Sequence, residues 1–337
     1  MRFGVNEVCH GHDPGDRHPE NPRRISAIRS ALSETDHVEY VEVDKAPRSD
    51  VLEVHDREYV DELESFARAG GGNWDPDTVA SEGTFDAALG SAGIAEWVAD
   101  TAVTGEIGHP TPFSLGRPPG HHAVPADAMG FCFFNNVAIA TASALRETSV
   151  ERVGIVDWDV HHGNGTQDIF EDRSDVFYVS FHEDGIYPGT GDVAEIGRGP
   201  GERRTMNVPF PPGSGDGEYD LVIEVVIEPA MLAFDPDLLL VSAGFDAHHD
   251  DPISRISLST EGFGLLADRM RRIAMETDAG LGFVLEGGYG LDPLAEGVTM
   301  VHRVFEGGPV AEAVGSIDPS VEAVIEDLES AHGVWWE

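Results

Sequence analysis

Apolar residues in this chain gather into short unbroken runs, and stretches with helical spacing separate them. The runs Arg152 to Val156, Val176 to Phe181, Leu238 to Ser242 and Gly282 to Leu285 are dominated by Val, Leu, Ile and Phe. Runs of that length and content predict strands buried on both faces, as in a parallel sheet. Their alternation with long helical segments predicts an α/β fold. No repeat of fixed period and no Ser/Gly-rich linker divides the chain, so its 337 residues are read as one large domain. Near the end, Val321, Val324, Ile325 and Leu328 recur at helical spacing within Ser320 to Ser330. This predicts a closing helix docked on the body, which gives a main domain over 1–310 and a C-terminal helix and tail over 311–337. Trp335 and Trp336 are expected to cover the end of that helix rather than contact a neighbouring subunit.

Polar residues concentrate where the predicted strands stop. Val153 to Asp157 runs into Trp158-Asp159-Val160-His161-His162-Gly-Asn164. In an extended segment, side chains alternate faces, so Asp157, Asp159 and His161 share one side and Trp158, Val160 and His162 the other. A carboxylate and an imidazole thus reach one ion, and both are ordinary zinc ligands; a third must come from elsewhere. Thr111 to Leu115 leads into a proline turn that ends in His121-His122. Asp235 to Ala243 leads into Gly244-Phe-Asp246, and Leu281 to Glu286 leads into Gly-Gly-Tyr289. Open α/β sheets bind ligands at the carboxyl ends of their strands, so these groups are expected to share one crevice. Alone, each has a plain structural reading: a surface histidine pair, an Asp246 helix cap, a Tyr289 ring over the core. Together they make a set suited to metal-assisted amide hydrolysis.

Charge narrows the partners. Acidic residues number 62 against 21 basic ones, a net charge of −41, and Lys45 is the only lysine. Such a surface repels nucleic acid, so no direct nucleic-acid binding is expected. The acid excess is spread along the whole chain, which suits a high-salt cytoplasm where screening acts within about 3 Å at molar ionic strength. The N-terminus lacks a signal-peptide h-region and no apolar run reaches the roughly 20 residues of a membrane span, so a cytoplasmic protein without membrane association is expected. Two cysteines give no disulfide framework. Cys132, inside Gly130-Phe-Cys-Phe-Phe134, is read as core packing, as is Phe133. Gly70-Gly-Gly72 and Gly197-Arg-Gly-Pro-Gly201 do not join a strand to a helix, so no phosphate cradle is expected.

The motifs resemble the zinc-dependent histone deacetylase family. Those that carry the resemblance are Arg117-Pro-Pro-Gly-His121-His122, Gly130-Phe131-Cys, Asp157-Trp-Asp159-Val-His161-His-Gly-Asn-Gly-Thr-Gln167, Tyr187-Pro-Gly-Thr-Gly191, Gly-Phe-Asp246 and Glu286-Gly-Gly-Tyr289. His18-Pro-Glu-Asn-Pro-Arg-Arg-Ile25 and Val54-His-Asp-Arg-Glu-Tyr-Val60 add to it, so the likeness runs in order from about Cys9 to Val301. Trp158, Asn164 and Glu286 look like the class II and acetylpolyamine amidohydrolase branch. The resemblance implies the arginase/deacetylase fold: a single domain with an eight-stranded, mainly parallel sheet between helices and the active site at the C-terminal strand ends.

It also implies roles. Asp159, His161 and Asp246 match the ligands of one zinc ion. His121 and His122 match the paired histidines, one backed by Asp157 and the other facing Asn164; His122 is the expected general base and acid, His121 an electrostatic supporter. Tyr289 matches the oxyanion donor. Phe131 and Tyr187 match the aromatic walls around the substrate's aliphatic chain, although the second wall is usually phenylalanine. Gly130 would offer its carbonyl to the substrate amide. Asp157, Ser180 and Phe181, with Asp159 and His161, match a potassium site, and Phe170, Arg173 and Val176 a second potassium loop. The residue at the gatekeeper position for acetylpolyamines, Ile253, is apolar, which favours acetyl-lysine.

The expected function is therefore a zinc-dependent deacetylase acting on acetyl-lysine side chains, with acetylated polyamines or small amines as the alternative substrates. A binding module that retains the pocket without turnover is the alternative of another class. All three ligands, both histidines and Tyr289 are present, which favours the enzyme. The manganese-type branch of the fold needs further carboxylates and histidines that are not present at the matching strand ends. The sequence carries no signal of oligomeric state.

Overall fold

The computed structural model describes residues 1–15, 17–104, 111–313 and 317–333; Trp335 and Trp336 lie outside the described residues. Strands cover Arg2–Val5 (β1), Glu39–Glu42 (β2), Gly71–Asn73 (β3), Val79–Ser81 (β4), Pro112–Ser114 (β5), Val153–Asp157 (β6), Val176–Glu183 (β7), Thr205–Phe210 (β8), Leu238–Ala243 (β9) and Gly280–Leu285 (β10). Helices cover Arg23–Leu32 (α1), Arg48–Val51 (α2), Arg57–Arg68 (α3), Thr84–Thr104 (α4), Asn136–Glu147 (α5) and Asn164–Phe170 (α6). They continue with Asp216–Val222 (α7), Glu228–Phe234 (α8), Thr260–Thr277 (α9), Leu291–Phe305 (α10) and Pro319–His332 (α11); a π-helical segment, Ile223–Ile227, joins α7 to α8.

Eight strands form one sheet in the order β2-β1-β5-β10-β9-β6-β7-β8, and every pairing in it is parallel. The four strands expected to deliver polar ends, β5, β10, β9 and β6, are consecutive neighbours at its centre. Register carries this to the last residue: Asp157 lies opposite Ser242 and Ser180, and Leu285 opposite Ala243. Apolar runs work here because both sheet faces are covered. Val153, Ile155, Tyr178 and Leu240 pack into one layer with residues of α3, α4 and α5. Val156, Phe177, Val179, Val241 and Phe283 face the other layer, with α1, α7, α9 and α10. A fully buried Leu, Ile or Phe contributes roughly 1.5–3 kcal/mol, so these two layers hold the sheet and fix where its ends point.

Side-chain caps start the helices that flank the crevice. Asn135 Oδ1 accepts from Ala138 N at 3.1 Å before α5, and Ser259 Oγ accepts from Gly262 N at 3.0 Å before α9. Helix α11 lies against β8 at the sheet edge with Val321 and Leu328 fully buried, which covers an otherwise open strand. Gly71–Asn73 forms a small antiparallel hairpin with β4. Among the described residues, no helix is long and apolar enough to cross a membrane.

Candidate active site

The segment after β6 leaves strand geometry at Trp158, so the alternation expected through His161 is carried by a turn. Trp158 and Val160 are sealed into the core, which forces the intervening polar side chains the other way. Asp159 Oδ1 accepts from His161 N at 2.9 Å and stands 3.0 Å from His161 Nδ1, a local lock that orients the imidazole. Asp246 arrives from the end of β9, its Oδ1 accepting from Val160 N at 3.0 Å. Ligand atoms of Asp159, His161 and Asp246 lie within 4.8 Å of one another, all buried or nearly so.

Three observations show that this trio fits a divalent cation. Asp246 Oδ2 is buried without a hydrogen bond among the described residues; His161 Nδ1 is 3.3 Å away but outside hydrogen-bond geometry. Burial opposes charge on His161, yet the carboxylates of Asp159 and Asp246 outweigh it and hold the ring's pKa up at about 10, so the pocket strongly favours positive charge. At Gly287, whose N–H donates to Asp159 Oδ2 at 2.7 Å, a Cβ would collide with both carboxylates, so glycine keeps the cluster open. Two carboxylates and an imidazole are a donor set that zinc accepts, and iron(II) or cobalt as well.

The tandem histidines differ in charge although their ring centroids are 4.1 Å apart. His121 Nδ1 meets Asp157 Oδ2 at 3.0 Å and its Nε2 lies 3.7 Å from Asp159 Oδ1. Burial alone would neutralise His121; the charges of Asp159 and Asp157 raise it to about 10 and keep it an imidazolium. His122 goes the other way: burial, then the positive charges of His121 and His161, push it well below the ordinary value. Its Nδ1 lies 2.8 Å from Asn164 Oδ1, and Asn164 Nδ2 donates to the His122 carbonyl at 3.3 Å. That orientation makes Nδ1 the N–H of a neutral ring and leaves the Nε2 lone pair free, the form a base needs.

The expected substrate groups surround this pair. Tyr187 meets the His122 ring edge-on at 5.1 Å, and Phe131 meets Tyr289 edge-on at 5.6 Å. Gly130, at φ +57°, passes so close to His122 that any Cβ would strike the imidazole; its carbonyl accepts from Cys132 Sγ at 3.3 Å. Burial pushes the Cys132 thiol well above its ordinary value, consistent with a packing role. Ile253 N donates to Asp251 Oδ1 at 3.0 Å, while Asp251 Oδ2 accepts from Tyr289 N and Gly290 N at 2.7 and 2.8 Å. The Ile253 turn and the Tyr289 turn are thus fastened together.

The groups expected around potassium are placed less uniformly. Asp157 Oδ2 also accepts from Tyr178 at 3.0 Å, and Ser180 Oγ lies 3.1 Å from His182 Nδ1. The Phe181 ring packs on Phe210 and Tyr219 in the core. At the second loop, Arg173 N donates to the Phe170 carbonyl at 2.9 Å, its guanidinium pairs with Asp175 at 2.6 Å, and Val176 opens β7.

The chain is similar to known proteins. A histone deacetylase domain matches residues 18–305. Histone deacetylase 10, chloroplastic, of Oryza sativa subsp. japonica is 41% identical over 322 residues, which cover 89% of this chain and 72% of that protein. A probable deacetylase of Methanothermobacter thermautotrophicus is 42% identical over 283 residues, covering 83% and 82%. The chain belongs to the histone deacetylase family. Histone deacetylase-like amidohydrolase of Pseudomonas aeruginosa is 39% identical over 274 residues, covering 80% and 71%. The crystal structure of the HDA15 HD domain superposes with a TM-score of 0.91 at 32% identity, covering 99% of this chain and 96% of that one. As a member of the histone deacetylase family, the chain is a hydrolase of the deacetylase type.

The structure adds groups to this candidate site that sequence reasoning missed. The Glu286 carboxylate accepts from Gly120 N at 2.7 Å and His121 N at 3.2 Å, so β10 anchors the tandem-histidine turn. Arg24 donates to the Gly288 and Glu286 carbonyls at 2.7 and 2.5 Å and lies 5.1 Å over the Tyr289 ring. Arg117 makes a two-pronged pair with Glu20 at 2.9 and 2.7 Å, fully buried, and also donates to the Cys9 and His12 carbonyls. Their motifs, Pro-Arg-Arg-Ile and Arg-Pro-Pro-Gly, stood out in the sequence; a buried arginine needs a fixed acid, and that requirement was the available signal.

Proposed function

We propose that the chain is a zinc-dependent amidohydrolase that removes acetyl groups from acetyl-lysine side chains. The observation that carries this reading is geometric: beside the Asp159–His161–Asp246 cluster, His121 is held by the Asp157 carboxylate and His122 by the Asn164 amide. Those three residues would hold the zinc, which when bound supplies a Lewis acid for the acetyl carbonyl and a lowered pKa for water.

The chain's own residues do the rest. Neutral His122 takes the proton of the attacking water at Nε2 and returns it to the departing amine. The His121 imidazolium, held by Asp157, supplies fixed positive charge beside the developing negative charge. The Tyr289 hydroxyl, whose pKa burial raises well above the ordinary phenol value, stays protonated and donates to the oxyanion. Phe131 and Tyr187 flank an apolar slot, and each substrate methylene buried there is worth roughly 0.8 kcal/mol. The Gly130 carbonyl accepts from the substrate amide. A potassium ion held by Asp157, Ser180 and Phe181 would further stabilise the Asp157 carboxylate.

Ile253 favours acetyl-lysine over polyamines because it offers no charge to a distal ammonium. Turnover of acetyl-lysine peptides measured beside acetylated polyamines, with zinc and potassium in high salt, tests the reading. A rate at least several-fold higher on the peptides is expected; a preference for polyamines overturns the substrate, and no turnover of either overturns the activity.

We propose also that the acid excess adapts the protein to a high-salt cytoplasm. Its net charge of −41 should repel itself in dilute buffer. Melting across a salt series should show a rising midpoint toward molar salt; an unchanged midpoint removes the idea.

A further inference from the structure

We propose that His162 is a positioning residue for the substrate channel: it latches the segment 184–195 and so sets where the Tyr187 ring stands. The proposal rests on the deacetylase reading above and deepens it. His162 follows the ligand His161, but its ring points to the opposite side, where it meets Thr190 Oγ1 at 2.7 Å and Gln167 Oε1 at 2.9 Å. The Gln167 amide is oriented by its other partners. Its Nε2 donates to Glu195 Oε2 at 2.6 Å, and its Oε1 accepts from Asn207 Nδ2 at 2.8 Å. Oε1 is therefore an acceptor, His162 Nε2 is its donor, and the Thr190 hydroxyl is left to donate to His162 Nδ1. One imidazole, only 1% exposed, thus fastens the segment at 190 directly and at 195 through Gln167.

Packing on the two sides of this segment is unequal. On the inner side, Gly191 lies so close to the His162 and His182 rings that a Cβ would strike both, and His182 Nε2 lies 3.1 Å from the Gly191 carbonyl. The outer side borders a cavity of about 630 Å³ between the segment and α11. Ile186 and Val193 seat the segment on the apolar core, and the ties at 190 and 195 fix the polar stretch between them and the Tyr187 end. Tyr187 rides on it, 38% exposed, with its edge toward His122. Releasing a tie therefore shifts one wall of the channel while leaving Asp159, His161 and Asp246 where they are.

Thr190→Val and Glu195→Ala each remove one tie, at solvent-facing or half-buried positions outside the cluster. Calorimetry on the zinc-loaded protein would compare acetohydroxamate, which chelates metal but has no chain, with a hydroxamate on a long alkyl chain that must pass Tyr187. Affinity for the long-chain probe should fall roughly five- to tenfold in each variant, the scale of one lost hydrogen bond, while acetohydroxamate affinity stays constant. In turnover, KM should rise by the same factor with kcat unchanged. Long-chain affinity equal to that of the parent in both variants overturns the latch. A parent protein that binds neither probe overturns the zinc reading beneath it, and the latch with it, an outcome distinct from equal binding by parent and variants.

Discussion

At the floor of the site, Asp159, His161, Asp246 and Tyr289 extend from β6, β9 and β10, strands that are hydrogen-bonded neighbours in register; at the rim, Tyr187 and Ile253 ride on loops tied down by side chains. The floor is therefore positioned by the whole sheet and its two apolar layers. The rim has far less: a few individual hydrogen bonds and the contacts of Ile186 and Val193 with the core. The teaching is energetic: the floor's carboxylates and imidazole are buried charges with fixed partners, so removing one leaves another uncompensated at a cost of several kcal/mol, whereas each rim tie is worth about 1 kcal/mol. Mutations should separate accordingly, with kcat and metal content answering to the floor and KM and selectivity to the rim.

The largest effect is expected at Asp246. Asp246→Asn removes a charge that the cluster needs, so zinc content should fall to a small fraction of one per chain and turnover should drop below detection. Elemental analysis after dialysis, read beside the activity, checks this; full zinc content would move Asp246 out of the ligand set. Tyr289→Phe should keep the metal and KM but lower kcat by about 100- to 1000-fold, the usual loss of one oxyanion donor. Unchanged kcat would take the hydroxyl out of the reaction.

Floor and rim also differ in how much of them the sequence revealed. Asp159, His161, Asp246 and Tyr289 were legible because strand ends in a parallel sheet must share one edge, so a pattern of apolar runs with polar termini already implies a shared crevice. The sheet was legible for the same reason. Glu286 contacts the histidine turn at sequence separations of 166 and 165, and Arg117 contacts Glu20 at a separation of 97. No local period encodes such pairings; they exist only once the loops have folded over the strand ends. The Tyr187 segment was legible as a motif but not as a latched loop, because its ties run through Thr190, Gln167 and Glu195, residue types that populate any surface. The extended reading of residues 158–161 stopped short for a local reason. Asp159 bonds to the backbone and ring of His161, and that ring closure replaces strand geometry.

A third prediction tests whether the rim loosens in acid before the floor. His55 donates from Nδ1 to the Val124 carbonyl at 3.0 Å and accepts at Nε2 from Asn135 N at 2.9 Å, so it spans the loop that carries Gly130 and Phe131. Burial lowers His55 to about 4 from an ordinary value of 6.5. Between those values the unfolded chain binds the proton and the folded one does not, so this contribution is complete above about pH 6.5 and is lost as pH falls toward 4. The slope is at most about 1.4 kcal/mol per pH unit. His55→Gln keeps one donor and one acceptor without titrating, so its melting midpoint should fall less steeply with acid than the parent's. Parallel curves would assign the acid loss to other buried histidines.

The smallest effect is expected from Ile253→Glu, which places a charge on the turn that Asp251 fastens to Tyr289. An exposed charge pair is worth about 0.2–1 kcal/mol, so the ratio of acetylpolyamine to acetyl-lysine turnover should rise only about two- to fivefold in dilute buffer. At molar salt, where the screening length is about 3 Å, the gain should vanish. Losing the gain with salt separates an electrostatic rim from a change in channel shape, since shape is indifferent to ionic strength. A ratio that does not move at low salt places Ile253 off the substrate's path and leaves selectivity to the Tyr187 wall alone.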